Sequence, residues 1–248
     1  TAAAVIEAKG GLAKSSFSVL ANISYSQVAI HKKFGGIVPN LASRAHLEKI
    51  IPTIKEALRV AKTKPDKIDL ITVTRGPGLI PSLLIGVNTA RALSYKWQKP
   101  IIGVNHIEGH IYSNWINRER MGEIRFPALV LIVSGGHTEL VLMKGYGKYK
   151  IIGQTLDDAA GEAFDKTARL LGLGFPGGPA IAAMANQLKT KNYQLKTTLP
   201  RPMINSKDYN FSFSGLKTAV LYLYNDLVKK YPKEKIIPAM AAEIQNAI

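Results

Sequence analysis

The sequence of 248 residues contains no cysteine. This absence excludes a disulfide framework, a thiolate nucleophile, a cysteine-ligated iron–sulfur cluster and a cysteine-type zinc site. Any metal ion must therefore be held by His, Asp or Glu. The absence of cysteine is also compatible with a reducing compartment.

Long apolar runs are absent as well. No stretch reaches the ~18 residues that a membrane-spanning helix needs. The first residues, TAAAVIEAKGG, lack the basic start and the apolar core of a signal peptide. We therefore expect a soluble, cytoplasmic protein with no membrane partner. With 46% hydrophobic and 20% charged residues, the chain has enough apolar residues to bury a core, as one large domain or as two lobes.

Acidic residues are scarce relative to basic ones. The chain has 33 Lys and Arg against 17 Asp and Glu, a formal net charge of +16. An excess of this size favours a polyanionic partner, because each neutralised phosphate releases counterions. The alternative is a protein from a proteome of basic proteins, in which the charge has no particular partner.

Nearly half of the net charge lies in residues 189–235, where ten Lys or Arg stand against three acids. Cations beside aromatic rings suit stacking on unpaired bases. The alternative is an ordinary amphipathic helix with the lysines on its wet face and a buried face of Leu216, Val220, Leu223 and Leu227. The aromatic residues of the segment are Tyr193, Tyr209, Phe211, Phe213, Tyr222, Tyr224 and Tyr231.

The order of apolar segments and glycine turns predicts an α/β fold. Residues 1–7 and 12–24 are expected to form a hairpin. Residues 68–74 are rich in β-branched side chains and predict a buried strand, which a glycine turn, a helix over 82–97 and a strand over 101–104 follow. This strand–helix–strand unit indicates that part of the sheet is parallel.

The second half of the chain predicts another hairpin, with strands over 127–134 and 138–143. Gly135 and Gly136 bend the chain between them, and glycines at such a turn can lie against a ligand.

A helix is predicted to follow and to reach Leu171. Asp157 and Asp158 are expected to cap its start, because Asp is a good N-cap and its charge suits the positive end of the helix dipole. Asp165 lies on the same face as Asp158 and, aimed inward, would accept hydrogen bonds from ribose hydroxyls. The alternative is a surface Asp paired with Lys166 or Arg169.

Two histidines stand four residues apart on a predicted helix over 106–117. The imidazoles of His106 and His110 project from one face and can share a metal ion, although two histidines are only half a site. The zinc-peptidase pattern places Glu directly after the first His, but that position is Ile107 here, and Glu108 points about 200° around the helix. A peptidase would therefore lack its general base.

Two glycine-containing segments are candidates for binding an anion. The segment Val133–Thr138 puts backbone N–H groups, two hydroxyls and an imidazole at the end of a buried strand, where a phosphate or carboxylate can bind. A plain hairpin turn would also need the glycines, but not His137. The amides of Gly177 and Gly178 open the next helix and can also meet an anion.

Taken together and in order, these segments resemble the tRNA threonylcarbamoyladenosine transferases of the TsaD type, in their bacterial or mitochondrial form. The similarity covers essentially the whole chain. The segments that carry it are SQVAIHKKFGGIVPNLASRAHLEKI, TRGPGLIPSLLIGVNTARAL, NHIEGH, SGGHTEL, DDAAGEAFDKTARLLG, PGGPAI and FSFSGLKTAV.

The resemblance implies an actin-like ATPase (RNase H-like) fold, with two lobes around a nucleotide cleft. Residues 1–104 would form the first lobe and residues 105–248 the second. The implied enzyme is an acyltransferase that moves the threonylcarbamoyl group from threonylcarbamoyl-AMP to the exocyclic amine of the tRNA adenosine next to the anticodon. AMP is released. The implied protein partners are an inactive paralogue and a P-loop ATPase.

The resemblance also implies residue roles. His106 and His110 would bind one divalent metal ion, iron or zinc, which holds and polarises the acyl group. The implied substrate-binding residues are Ile132, Val133, Ser134, Gly135, Gly136, Asp165 and Gly178.

The chain departs from the family at both ends. It starts at what resembles the last residue of the family's opening CDET-type motif, so we expect the family's first strand and its acidic residues to be missing. The family is longer, and its C-terminal part carries an Asp that completes the metal site and an Asn that contacts the nucleotide; we expect this part to be missing here. One alternative function is a non-catalytic actin-like scaffold paralogue, against which the retained histidine pair argues. Another is a metal-dependent glycoprotein endopeptidase, against which the position of Glu108 argues.

Overall fold

The structure is a computed structural model that describes residues 1–11, 16–116, 124–187 and 198–248. It is an α/β protein. In chain order its elements are β1 (Ala2–Lys9), β2 (Ser16–Ser24), α1 (Val28–Lys32), α2 (Pro39–Val60), β3 (Ile71–Gly76), α3 (Ile80–Trp97), β4 (Ile101–Asn105), α4 (His106–Ser113), β5 (Ala128–Val133), β6 (Thr138–Gly145), β7 (Lys148–Gln154), α5 (Ala160–Leu170), α6 (Gly177–Asn186), α7 (Ser214–Leu227) and α8 (Lys233–Ala247). No helix in these residues has the length and apolarity that crossing a membrane requires.

Contacts divide the chain into two compact units. The first contains Thr1–His31 and Ile37–Arg125, and the second contains Lys32–Gly36 and Phe126–Ile248. The units differ from the predicted lobes, 1–104 and 105–248, because α4 falls in the first unit and Lys32–Gly36 fall in the second. Because α4 packs against β3 and β4, it belongs to the first unit.

The first unit contains the predicted hairpin and the predicted strand–helix–strand unit. β1 and β2 pair antiparallel, and β3 and β4 pair parallel with α3 between them. β3 begins at Ile71 rather than at residue 68, because Pro65–Lys67 form a 3-10 turn first. The Ile71 amide then donates to the Pro100 carbonyl at 3.0 Å, which sets the register of the parallel pair.

Both long helices of this unit have a proline in their first turn. Pro39 and Pro81 lie in the first turns of α2 and α3, where the fixed φ of proline suits the helix and no amide donor is required. The chain leaves each helix in the left-handed region, with φ of 51° at Lys62 and 52° at Gln98. The two helices pack against each other.

In the second unit, β5, β6 and β7 form an antiparallel sheet, which confirms the predicted hairpin over β5 and β6. The pairing of Val133 with Thr138 leaves a four-residue turn, Ser134–His137. Beyond β7, the Phe211 amide donates to the Gln154 carbonyl at 3.0 Å. This contact ties the segment before α7 to the edge of the sheet.

Helices α5 to α8 enclose the core of the second unit. Leu216 and Val220 of α7 are fully buried among residues of α6 and α8, and Leu223 and Leu227 pack beside them. The interpretation of this stretch as an amphipathic helix with a buried leucine face is confirmed. The residues of this core with no exposed surface include Ile181, Leu216, Val220, Ile236, Met240, Ala241 and Ile244.

The predicted cap of α5 is wrong. The N-cap position is Ala159, which makes no side-chain cap bond. Asp158 instead pairs with Lys166 at 2.7 Å, and Asp157 binds the start of α7. The α5 amides find their acceptors in a distant segment, the β5–β6 turn, which capping preferences along the sequence do not reveal.

Candidate functional site

The histidine pair sits where β4 passes directly into α4. Asn105 is the N-cap, and its Oδ1 accepts from the amides of Ile107 at 2.7 Å and Glu108 at 3.4 Å. This cap makes His106 the first helical residue, one turn before His110. Both imidazoles are exposed, and their Nε2 atoms lie 3.1 Å apart.

The geometry of the pair fits a shared metal ion. Two nitrogens ~2.0–2.1 Å from one ion are roughly 2.9 Å apart at a right angle and roughly 3.4 Å apart at the tetrahedral angle. The observed Nε2–Nε2 distance of 3.1 Å lies between these limits, and it is equally the distance of a hydrogen bond between the two imidazoles. Among the described residues, no third His, Cys, Asp or Glu joins the two. The pair alone would therefore supply only two of the ligands that a metal ion needs.

The β5–β6 turn is organised by one hydroxyl. Ser134 Oγ accepts from the amides of Gly136 at 3.3 Å and His137 at 3.0 Å, and the Ser134 amide donates to the His137 carbonyl at 2.9 Å. Two of the amides that the sequence predicted to face an anion are thus bonded within the turn.

The two glycines of this turn are not required by the fold. A Cβ atom on Gly135 or Gly136 would meet nothing within 4 Å, and neither residue has a left-handed φ. The expectation that a plain hairpin would need these glycines is therefore wrong. The backbone here borders open space, which is the arrangement that close approach of a ligand requires.

The same turn caps α5. Thr138 Oγ1 accepts from the Ala160 amide at 2.9 Å, and the Ser134 carbonyl accepts from the Gly161 amide at 3.1 Å. A Cβ on Gly161 would lie 2.5 Å from the Ser134 carbonyl oxygen, so the turn and the helix are in close contact. Thr138 is 2% exposed, and its capping role was missed because nothing local in the sequence marks it.

Asp165 is held at the start of α6. Its Oδ1 accepts from the Gly177 amide at 2.6 Å. Neither cation proposed as its surface partner pairs with it among the described residues, because Lys166 binds Asp158 and Glu162, and Arg169 donates to the Gly35 carbonyl. The carboxylate is half-buried and fixed against the first turn of α6.

The adjacent glycines of α6 differ in what surrounds them. A Cβ on Gly177 would collide with the Phe164 carbonyl and lie 2.5 Å from Asp165 Cα, whereas a Cβ on Gly178 would meet nothing within 4 Å. Gly177 is therefore required by packing, and Gly178 borders open space as Gly135 and Gly136 do.

The remaining predicted residues lie in β5. Ile132 is 4% exposed and packs in the core, whereas Val133, on the opposite face of the strand, is 53% exposed. The second unit thus contains the β5–β6 turn, Asp165 and Gly178, and the first unit contains the histidine pair.

Comparison with known proteins decides the family. The family model for tRNA N6-adenosine threonylcarbamoyltransferase matches residues 18–248. The chain belongs to this family. The predicted resemblance is therefore confirmed.

Curated members of the threonylcarbamoyltransferase family are similar to most of the chain. The protein from Thermomicrobium roseum is 56% identical over 206 residues, which cover 82% of this chain and 55% of that protein. The proteins from Thermosipho africanus and Bacillus subtilis are 50% and 46% identical, and the matches cover 93% and 98% of this chain and 67% of each relative. The chain thus spans between about half and two thirds of the length of these relatives.

One solved structure, YeaZ from Pseudomonas aeruginosa, is weakly similar, with a TM-score of 0.33 and 15% identity over 60% of this chain and 65% of that chain. A likeness at this level carries no structural argument.

Asp157 is a further residue whose role in this family member was predicted wrongly from the sequence. Its carboxylate accepts from the Phe213 amide at 2.7 Å, the Ser214 amide at 3.2 Å, and the hydroxyls of Ser212 and Ser214 at 2.6 and 2.8 Å. Partial burial alone would raise its pKa, but these hydrogen bonds, led by that of the Ser212 hydroxyl, lower the pKa to about 2. Asp157 therefore fixes the FSFSG segment at the start of α7.

Proposed function

We propose that this protein transfers the threonylcarbamoyl group from threonylcarbamoyl-AMP to the N6 amine of the tRNA adenosine next to the anticodon. The amine nitrogen attacks the carbamoyl carbonyl carbon, the bond from that carbon to the phosphate oxygen breaks, and AMP leaves with the electron pair while the amine loses a proton. Family membership supports this reaction. The observation that carries it is that a Cβ on Gly135, Gly136 or Gly178 would meet nothing within 4 Å, so packing does not explain why these residues are glycine.

We assign roles within the second unit from this geometry. The β5–β6 turn would receive phosphate or acyl oxygens, with Ile132 and Val133 supporting it from β5. The Asp165 carboxylate, oriented by the Gly177 amide, would accept from the ribose hydroxyls. The backbone at Gly178 would lie against the nucleotide.

The histidine pair would hold one iron or zinc ion. When bound, the metal supplies a Lewis acid that polarises the acyl carbonyl. The Asn105 cap positions both imidazoles for this role, because it fixes the first turn of α4 against the end of β4.

The wider assembly is also part of the proposal. We include what the resemblance implies: an actin-like ATPase (RNase H-like) fold with two lobes around a nucleotide cleft, an inactive paralogue and a P-loop ATPase as protein partners, and a cytoplasmic location. A tRNA contact is proposed in residues 189–235, of which 189–197 lie outside the described residues. Tyr209 and Tyr222 are 65% and 68% exposed, but Phe213 is buried and cannot stack on a base.

The direct test combines full-length protein, threonylcarbamoyl-AMP, the partner proteins and unmodified tRNA. We expect AMP release together with threonylcarbamoyladenosine in the digested tRNA, quantified by mass spectrometry. Folded protein that takes up metal and still releases no AMP would refute the proposal. Stimulation of another transferase without turnover of its own would favour the scaffold.

The glycine pair of α6 gives a matched test of the nucleotide contact. We expect Gly177→Ala to destabilise the protein by about 1–3 kcal/mol, because the new methyl group collides with backbone. Gly178→Ala should leave the melting temperature unchanged or raise it, because Ala is favoured over Gly in a helix by about 0.5–1 kcal/mol. The Gly178 variant should nevertheless bind AMP at least about tenfold more weakly, because its methyl group enters the ligand space. Calorimetry of both variants separates the effects, and wild-type AMP affinity in Gly178→Ala would remove the nucleotide from this position.

A further inference from the structure

We propose that a cationic surface binds the RNA backbone. It lies at the edge of the β3–β4 sheet where both strands begin, whereas the histidine pair follows the opposite edge, where β4 ends. This inference rests on the proposed function, in which the substrate is a tRNA. We call the surface the amino-edge patch and define it as Arg59, Lys62, Lys64, Lys67, Tyr95, Lys96 and Lys99.

The parallel pairing of β3 and β4 brings the patch together. Ile71 pairs with Ile101, so the segments that precede the two strands meet at one edge of the sheet. Lys99 Nζ donates to the Asp66 carbonyl at 3.0 Å, which joins the segment after α3 to the segment after α2. His106 follows β4 at the opposite edge, five residues further on, which is roughly 16 Å along an extended strand.

The basic residues of the patch outnumber the acidic residues around them. Residues 59–67 and 95–99 contain six Lys or Arg and one acid, Asp66, and Asp69 follows two residues after Lys67. Arg59 is paired with Glu56 at 2.6 Å. Lys62, Lys64, Lys67 and Lys96 have no carboxylate within 4.0 Å among the described residues. Counted together with Glu56 and Asp69, residues 56–69 and 95–99 keep an excess of three positive charges over 19 residues.

Stabilisation of the helix ends does not explain all of these cations. Basic side chains in the last turn of a helix interact favourably with its dipole. That reason applies to Arg59 of α2 and Lys96 of α3, the basic residues in the last turns. Lys62, Lys64 and Lys67 lie beyond the end of α2, where the dipole effect falls off.

An exposed aromatic ring lies beside these cations. Tyr95 is 81% exposed, next to Lys96 in the last turn of α3, and it adds nothing to the core. Cations that track phosphates together with a ring on which a base can stack are the usual elements of a surface for single-stranded or looped RNA. A tyrosine ring also suits a protein interface, so the choice of RNA rests on the tRNA substrate of the proposed function together with the unpaired lysines.

The test compares two triple variants of the full-length protein with the same loss of charge. One is Lys62→Gln, Lys64→Gln and Lys67→Gln, with and without Tyr95→Ala. The control is Lys144→Gln, Lys148→Gln and Lys150→Gln on the exposed β6–β7 hairpin, where Tyr146 packs edge-on against Phe126 at 5.1 Å. The probe is a fluorescently labelled tRNA with an unmodified adenosine next to the anticodon.

We expect the patch variant to bind this tRNA at least about tenfold more weakly near 0.1 M salt, with the slope of log K against log[salt] shallower by about 2. Tyr95→Ala should weaken binding by about a further fivefold or more. The control should keep wild-type affinity and slope. Equal losses in both triple variants, or no loss in the patch variant, would overturn the inference and would leave an acidic protein as the partner to examine.

The transfer reaction distinguishes a failure of this inference from a failure of the proposed function. At saturating tRNA, the patch variant should release AMP at the wild-type rate, because the patch contributes binding away from the histidine pair. If the patch variant binds tRNA more weakly than the wild type but the wild-type protein never transfers the acyl group, the proposed function alone is refuted. Wild-type transfer with unaltered binding by the patch variant would refute the patch alone.

Discussion

Replacing His106 or His110 with alanine is expected to slow threonylcarbamoyl transfer at least about 100-fold while the protein stays folded, because a metal that polarises the acyl group contributes several kcal/mol to the barrier. Each variant removes one of the two imidazoles whose Nε2 atoms are 3.1 Å apart. Both side chains are exposed, so their loss creates no cavity. The measurements are the rate of threonylcarbamoyladenosine formation and the bound metal by elemental mass spectrometry.

Glu108→Gln is the matched control for the histidine variants. It lies on the same short helix and removes a charge without removing an imidazole. We expect wild-type metal content and a transfer rate within about twofold of wild type, as for most substitutions away from a site. Histidine variants that keep both the rate and the metal would show that the pair is not a metal site. A peptidase activity that Glu108→Gln abolishes would restore the endopeptidase as the function.

The second large effect concerns stability and lies at Asp157. Asp157→Ala removes a carboxylate that accepts four hydrogen bonds from residues 212–214. We expect the free energy of unfolding to fall by about 2 kcal/mol, because hydrogen bonds to a charged group and an N-cap contribute on that order. The matched control is Asp158→Asn, which breaks an ion pair with Lys166 and should cost less than about 1 kcal/mol. Urea unfolding at neutral pH measures both.

The same carboxylate predicts part of the acid limb of the stability profile. The pKa of Asp157 is about 2 in the folded protein, below its ordinary value of 3.8. A lowered pKa stabilises the fold above the unfolded value, and this contribution is lost as the pH falls from about 4 towards 2. Because the side chain is exposed and screened by solvent, we expect a loss of about 1 kcal/mol over that range.

Asp157→Asn should flatten this part of the profile, since an amide does not titrate. A decline between pH 4 and pH 2 that is as steep in Asp157→Asn as in the wild type would assign the acid sensitivity to other carboxylates.

Local patterns predicted the parts of the fold that local chemistry determines. The β5–β6 hairpin follows from an apolar run, two glycines and an alternating run, and the β3–α3–β4 unit from similar signals. The prediction that Asp157 caps α5 was wrong, because its carboxylate accepts from the first amides of α7 instead. Its partners lie more than 50 residues further along the chain, and only the tertiary fold brings them to it.

The candidate site shows the same division. The four-residue spacing of His106 and His110 was enough to place both imidazoles together, because helix geometry fixes that relation. The sequence did not predict that Asp165 would bind the Gly177 amide, because that contact depends on how α5 packs against α6. Nor did it separate Gly177 from Gly178, two identical residues with opposite surroundings.

A ligand of the proposed site at the β5–β6 turn would exchange with the Ser134 hydroxyl rather than add to free amides. A neutral oxygen already accepts from the amides of Gly136 and His137, and an incoming group has to replace it while the serine side chain rotates away. Hydrogen bonds to an ionised acceptor are roughly twice as strong as those to a neutral one. The turn would therefore favour a phosphate or a carboxylate over neutral acceptors such as water or an alcohol, at the cost of some affinity for the anion.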